Sequence, residues 1–245
     1  MMNVCDQYYS AVQQQLHQVF TSQRPAIEQA ASCLGEALAQ DRWLYAFGTG
    51  HSHMLAEEIF YRAGGLAHAV PMLDSSLMLH ENAIEATYVE RREGYAQDLL
   101  KLYPVEAGDV LIVASNSGRN AVPIELAMAG RERGMKIVVL TNLRHTQAWP
   151  PRHSSGKRLA DVGDVVIDNC GISGDACLEM PGMPSLVGPT SSITGMLIIN
   201  LILVRGIERA LQKGVAPEIY ISSNSNGDEH NNRLLTKYKN RIRHL

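Results

Sequence analysis

The sequence predicts an α/β fold, a parallel sheet sandwiched by helices with a helical extension at its start. Three observations predict it: short apolar runs recur after Asp41, the stretches between them are helical in character, and the runs are continuous rather than alternating. A strand covered on one face alternates apolar and polar side chains, whereas a strand buried on both faces reads as an unbroken apolar run. The order is βαβ throughout, as a parallel sheet with crossover helices requires.

The first 40 residues read as two amphipathic helices. Tyr8, Ala11, Val12, Leu16 and Val19 form one stripe, and Ile27, Ala30, Ala31, Leu34 and Leu38 form the next. Pro25 suits the first turn of the second helix. Strands are expected at Trp43 to Phe47, Ala67 to Met72, Val110 to Ala114, Ile137 to Leu140 and Val165 to Ile167. Val122 to Arg133 reads as a helix, with Pro123 near its start and Gly134 just past its end. Gln147 to Lys157, with two prolines and little apolar content, is a loop. The most apolar stretch, Ile193 to Val204, is shorter than the roughly 20 residues a bilayer needs, so a buried helix is expected and no membrane partner. Thr190, Ser191 and Ser192 stand where its cap belongs. Ser222 to Asn232 is dense in short polar side chains, and Asp228 is placed to cap a last helix carrying Leu234, Leu235, Tyr238 and Ile242. The expected organisation is helices over 1–40 packing on the core or a partner subunit, a ligand-binding domain over 41–213, and a polar segment with a helix over 214–245.

Composition narrows the function. The chain has 245 residues, 45% hydrophobic and 19% charged, an ordinary mix for one substantial core. A net charge of −3, with no basic recognition face in the first helices, argues against a nucleic-acid partner. Cys5, Cys33, Cys170 and Cys177 form no C-x-x-C pair, and Met1 to Gln15 lacks a basic and then apolar leader pattern, so a cytoplasmic protein with reduced thiols is expected.

In an open parallel sheet, ligands bind at the carboxyl ends of the strands. The first strand runs into Gly48, Thr49, Gly50, His51 and Ser52, and the third into Ser115, Asn116, Ser117, Gly118, Arg119 and Asn120. Glycines let the backbone approach a ligand closely, the hydroxyls donate, and the helix that follows favours an anion. Two such loops make a phosphate cradle, although either alone reads equally well as turn formers and caps. Rival anion motifs fit worse. The dinucleotide fingerprint has His53 at its third glycine position, with Asp74 as the available ribose-binding acid, and Gly156-Lys157 is followed by Arg158 rather than by the Ser or Thr of a P-loop.

These loops, with Ile137 to Thr141, Leu159-Ala160-Asp161 and Asp164 to Ile167, resemble in order and spacing a SIS (sugar isomerase) domain over about residues 25 to 213. The resemblance implies a five-stranded parallel sheet in a flavodoxin-like three-layer arrangement, and a sugar-phosphate site near a subunit interface. It also implies phosphate contacts from Ser52, Ser115 and Ser117. In this chain Asn120 takes a place usually held by threonine and donates through its amide, and the link from Thr141 to Leu159 is long, carrying His145, His153, Ser154, Ser155 and Lys157.

Isomerisation through an enediol needs a base between adjacent carbons and a group to open the sugar ring. Glu81 as base and His80 as ring-opening acid lead the candidates; Glu57 and Glu58 follow the first loop, and His230 lies in the polar C-terminal segment. Glu58 equally suits a surface pair with Arg62, whereas Glu57 has Tyr61 at i+4. His51 and His53 do not share a helix face, and no third ligand at recognisable spacing joins them, so neither a metal nor another cofactor is expected. The expectation is a sugar-phosphate aldose-ketose isomerase or a related amino-sugar-phosphate enzyme. The alternatives are a phosphosugar sensor without turnover and a nucleotide-binding oxidoreductase. The apolar helices exceed what one sheet can cover, so a homodimer or homotetramer is expected.

Overall fold

Parallel pairing of the five apolar runs builds the centre of the protein, whose computed structural model describes residues 3–245. Residues 1 and 2 of the expected N-terminal segment lie outside the described residues. In chain order the elements are α1 (Val4–Ser22), α2 (Arg24–Ala39), β1 (Leu44–Gly48), α3 (His53–Glu58), β2 (Ala69–Met72), α4 (Leu79–Val89), α5 (Tyr95–Lys101), β3 (Val110–Ser115) and α6 (Ala121–Glu132). There follow β4 (Lys136–Thr141), α7 (Leu143–Ala148), β5 (Val165–Asp168), the strands β6 (Ala176–Leu178) and β7 (Val187–Pro189), α8 (Ser191–Gln212) and α9 (Asp228–Tyr238). The sheet order is β2-β1-β3-β4-β5, every pair parallel.

Continuous apolar runs feed two cores. Leu44 and Ala46 of β1, Ile112 of β3 and Val138 of β4 face α2, α3 and α8. Their alternates Tyr45, Phe47, Leu111, Val113 and Val139 face α5, α6 and α9. The terminal helices therefore share the cores of the central sheet: α2 contributes Ile27 and Leu34 to the first, and α9 contributes Leu234 and Tyr238 to the second.

Three local expectations are corrected. The apolar helix is longer than the 193–204 stretch: at 22 residues and mean hydropathy 1.4, α8 is long and apolar enough by those measures to cross a membrane, yet one face, with Ile198, Ile199 and Ile202, is buried against the sheet. Its cap comes from a distance. Thr190 makes no side-chain cap, and instead the Asp175 carboxylate accepts from Thr190 N at 3.1 Å, Ser191 N at 2.8 Å and Ser191 Oγ at 2.8 Å. A carboxylate there satisfies free amides and complements the helix dipole. Asp175 holds a left-handed φ of 72° at the start of the antiparallel β6–β7 pair, whose three-residue strands have no legible period. Third, Asp228 is the first residue of α9, not its cap, and Ile242 lies beyond the helix end.

The α2–α8 contact is close because glycines face it. A Cβ on Gly35 would lie 2.4 Å from Arg209 Cβ, and one on Gly206 would lie 2.7 Å from Leu34 Cδ2. Arg209 Cβ cannot yield without moving its backbone. Gly35→Val should destabilise the protein by about 2 kcal/mol, the ordinary cost of overpacking, read as a lower midpoint in urea unfolding. An unchanged midpoint would show that the two helices part without penalty.

Candidate functional site

The sheet order places a crevice between the loops after β1 and β3. These neighbouring strands lead into helices on opposite faces, α3 in the first core and α6 in the second, so their carboxyl-end loops diverge. Both loops are glycine-turned: Gly50 has φ 55° and Gly118 φ 60°, and a Cβ on Gly118 would meet Thr141 Oγ1 at 2.7 Å. The second loop is tied down through its carbonyls. Thr141 Oγ1 donates to Ser115 O at 2.7 Å, Thr146 Oγ1 to Ser117 O at 2.8 Å, and Leu159 N to Gly118 O at 2.8 Å. Asn169 Nδ2 donates to Asn116 Oδ1 at 2.7 Å. In the first loop, Gly48 packs so tightly on Ser52 that a Cβ would lie 2.3 Å from its carbonyl oxygen.

The structure brings Thr49, His51, Ser52, Ser115, Asn116, Ser117 and Asn120 together on one cleft of about 250 Å³, as the two loops predict. An adjoining recess is lined by Ser52, Ser115, Asn116, Asn169 and Ser192. Two members serve another purpose than expected. Thr49 Oγ1 donates to Glu90 Oε2 at 2.7 Å, and the Asn120 amide nitrogen donates to Glu90 Oε1 at 2.7 Å. The Asn120 oxygen accepts from Arg152 Nη1 at 2.9 Å, so both ends of its amide have a partner within the protein.

Glu90 is the acid that sequence reasoning missed. It stands at the C-terminal end of α4, half-buried in the cleft wall, and its backbone carbonyl accepts from Val122 N at the start of α6. Burial pushes its carboxyl above the usual carboxylate range, against the opposing pull of the Thr49 hydrogen bond and of Arg91 and Arg152. His145, a few residues past β4, lines the opposite side. Its Nδ1 accepts from Gly174 N at 2.9 Å, which leaves the proton of the neutral ring on Nε2. Burial, and then Arg119, lower its pKa, which favours the neutral imidazole. Asp175 and Ser191 complete the lining. The strand-end rule that found the two loops also reaches His145, but no local signal marks Glu90.

None of the five acid–base candidates drawn from the sequence lines this cleft. Glu58 pairs with Arg62 and accepts from Asn200 Nδ2 at 2.7 Å. Glu57 finds its partner backward rather than forward, at His53, 3.4 Å away. His80 and Glu81 lie 3.7 Å from each other, both largely exposed. His230 Nε2 bonds the carbonyl of Ile219, which bridges Leu66 just before β2, at the opposite end of the sheet from the loops. Asp74 is used within the fold, accepting from Ser76 N and the Tyr95 hydroxyl. Among the described residues one group could ligate a metal: Glu93, Glu125 and His153, whose ligand atoms all lie within 4.8 Å of one another. Their hydrogen bonds pin the 149–157 loop: His153 contacts Glu125 at 3.3 Å, and Glu93 accepts from Ser154 N at 2.6 Å.

With this geometry in place, comparison with known proteins is decisive. Residues 7–142, more than half of the chain, match the SIS domain. The chain belongs to the SIS domain family. The match begins inside α1, earlier than expected, and ends at Asn142, although β5 beyond it completes the same sheet. This SIS protein is 41% identical to a UPF0309 protein of Listeria innocua, across 93% of this chain and 92% of that one. It is also 41% identical to a UPF0309 protein of Caldanaerobacter subterraneus, across 98% and 99% of the two chains. In fold it is similar to a phosphoheptose isomerase from Francisella tularensis, with TM-score 0.52 and 18% identity over 84% of this chain and 100% of the other. A phosphoheptose isomerase from Neisseria gonorrhoeae gives TM-score 0.51 at 18% identity, over 82% and 96%.

The buried carboxylate of this SIS domain has a consequence for stability. Because the folded-state pKa of Glu90 lies above its unfolded value, its contribution is fully present at low pH and is lost as pH rises through the folded pKa. Glu90→Gln removes that ionisation. The melting temperature of the variant minus that of the wild type should therefore become more positive from about pH 4 to about pH 8; a difference flat with pH would contradict the assignment.

Proposed function

We propose that this SIS protein binds a sugar phosphate in the cleft between the β1 and β3 loops and moves a proton between adjacent carbons, as an aldose-ketose isomerase or a related amino-sugar-phosphate enzyme does. The observation that carries the reading is Glu90: a half-buried carboxylate of raised pKa, held by one side chain from each loop. A carboxylate made more basic by burial is a better carbon base, since efficiency rises as the pKa approaches the operating pH. Ser52, Ser115 and Ser117 take the phosphate, and each hydrogen bond to the charged group contributes about 1.5–3 kcal/mol. His145, neutral with Nε2 protonated, donates to and recovers the proton from the sugar oxygen. Phosphoheptose isomerases among the fold neighbours support the substrate class.

A sensor without turnover is the second reading, favoured by one fact: both Glu90 oxygens already accept hydrogen bonds, as a purely structural clamp would have them. Exchange of solvent deuterium into a bound sugar phosphate separates the two. Isomerase chemistry labels the carbon next to the carbonyl, and Glu90→Gln should slow that labelling at least about 100-fold, in line with the loss of a positioned base, while calorimetry still records binding. Labelling absent from the wild type, with binding intact, would establish the sensor. Ser117→Ala should weaken sugar-phosphate binding about ten-fold by calorimetry and leave affinity for the unphosphorylated sugar where it was.

Self-association belongs to the same reading. Phe20, Ile27, Leu201 and Val204 line an apolar groove of about 320 Å³ across α1, α2 and α8, flanked by both signs of charge at Arg24, Glu28, Arg205 and Glu208. A second copy turned by two-fold symmetry offers the same apolar row and complementary charges. Light scattering should give twice the chain mass; a monomer that binds ligand fully would remove the partner from the site.

A further inference from the structure

Four arginines stand beside the cleft without lining it, each next to one of its residues or to that residue's chain neighbour. Arg152 donates to the oxygen of Asn120, Arg119 is the chain neighbour of Asn120, Arg91 is the chain neighbour of Glu90, and Arg158 Nε donates at 3.0 Å to the carbonyl of Thr146, next to His145. Their shared environment is built by the long link after β4. Arg119 Nε donates to Pro150 O at 2.9 Å, and its guanidinium sits 6.0 Å from the centroid of the exposed Trp149 ring. Arg152 N donates to Arg119 O at 2.8 Å, and Arg158 Nη2 reaches Trp149 O at 3.3 Å.

None of these four arginines makes a direct ion pair, although Arg91 and Arg152 act on the Glu90 carboxylate from further away. Every arginine ion pair among the described residues involves others: Arg42, Arg62, Arg131, Arg205, Arg209 and Arg241. Arg91, Arg152 and Arg158 all act on Arg119 strongly enough, after its own burial, to lower its pKa. Asp175 in the lining is taken up by the amides and hydroxyl at the start of α8, and positive charges crowded beside a cleft favour an anion at its edge. Guanidinium forks match carboxylate and phosphate oxygens two at a time. Ser52 and Ser115, to which the first phosphate is assigned above, line the adjoining recess, so the arginine cluster is a second place.

We propose that the natural ligand of this cleft is a sugar phosphate carrying a second anionic group, a carboxylate or another phosphoryl, which the arginines take while the serine loops take the first phosphate. The proposal rests on the phosphosugar reading above and deepens it to a substrate class. A ligand with one phosphate satisfies the serine loops alone and leaves the arginine cluster uncompensated. A ligand with two anionic ends spans both.

Titration calorimetry with glucose 6-phosphate, glucose 1,6-bisphosphate and 6-phosphogluconate tests it, on the wild type and on Arg91→Gln/Arg152→Gln, two exposed positions whose loss leaves the Arg119 and Arg158 backbone contacts in place. Lys213→Gln, at the exposed end of α8, controls for net charge, and melting curves confirm folding. In the wild type at least one dianionic sugar should bind about ten-fold tighter than the monophosphate, as an added charge-assisted pair provides. The gap should fall below about three-fold in the arginine variant and persist in Lys213→Gln. The bisphosphate and the sugar acid distinguish a second phosphoryl from a carboxylate. Equal affinities in the wild type, or a gap that survives the double substitution, would overturn the inference and leave the phosphosugar reading standing. Failure of all three sugars to bind would sink both.

Discussion

The bond on which the site depends is the double acceptance by Glu90 from Thr49 and Asn120. A half-buried carboxylate is costly to hold unless its oxygens find donors, and here the donors are one residue from each of the two loops at the centre of the sheet. The loops are thus fixed to each other through a third element, α4, rather than by direct contact. Val122 N on the Glu90 carbonyl extends the same tie to the first turn of α6. The position of the cleft wall and the start of α6 are thereby linked to the protonation of Glu90.

Much of the fold was legible in the sequence because burial on both faces leaves so strong a mark. The five runs from β1 to β5 are short, apolar and continuous, as strands covered on both faces require. α1 and α2 showed their stripes for the same reason, and Pro25 marked the first turn. The β6–β7 pair was invisible: three residues cannot display a period. The length of α8 was underestimated because Arg205 and Glu208 interrupt the apolar text while serving the helix through pairs with Glu28 and with each other.

The site divides in the same way. Gly48 to Ser52 and Ser115 to Asn120 stand directly after strands, where topology gives position its meaning, and both reach the cleft. Acids and bases carry no such positional mark. Glu58 was drawn by its nearness in sequence to the first loop and Glu81 by its place after the second strand, yet a helix two turns long turns its residues through every direction, and Glu58 ended beside Asn200. Glu90 arrives from the far end of a helix that starts after β2, a relation set by packing alone. Thr49 and Asn120 were recognised as donors, correctly in kind, but their recipient is a protein carboxylate.

The 149–157 loop sits against the cleft through side-chain and backbone hydrogen bonds and one cation–ring contact, with no strand and no buried apolar core of its own. Its attachment therefore makes no demand on the sheet beneath. Segments of that kind accept insertion, deletion and substitution more readily than the elements they connect. On the reading proposed above, the chemistry and the selectivity reside in separable pieces of chain: Glu90 is tied to the scaffold, whereas the loop beside the cleft is a cassette. A lineage that keeps Glu90 and rewrites those nine residues can change what enters without rebuilding what happens there.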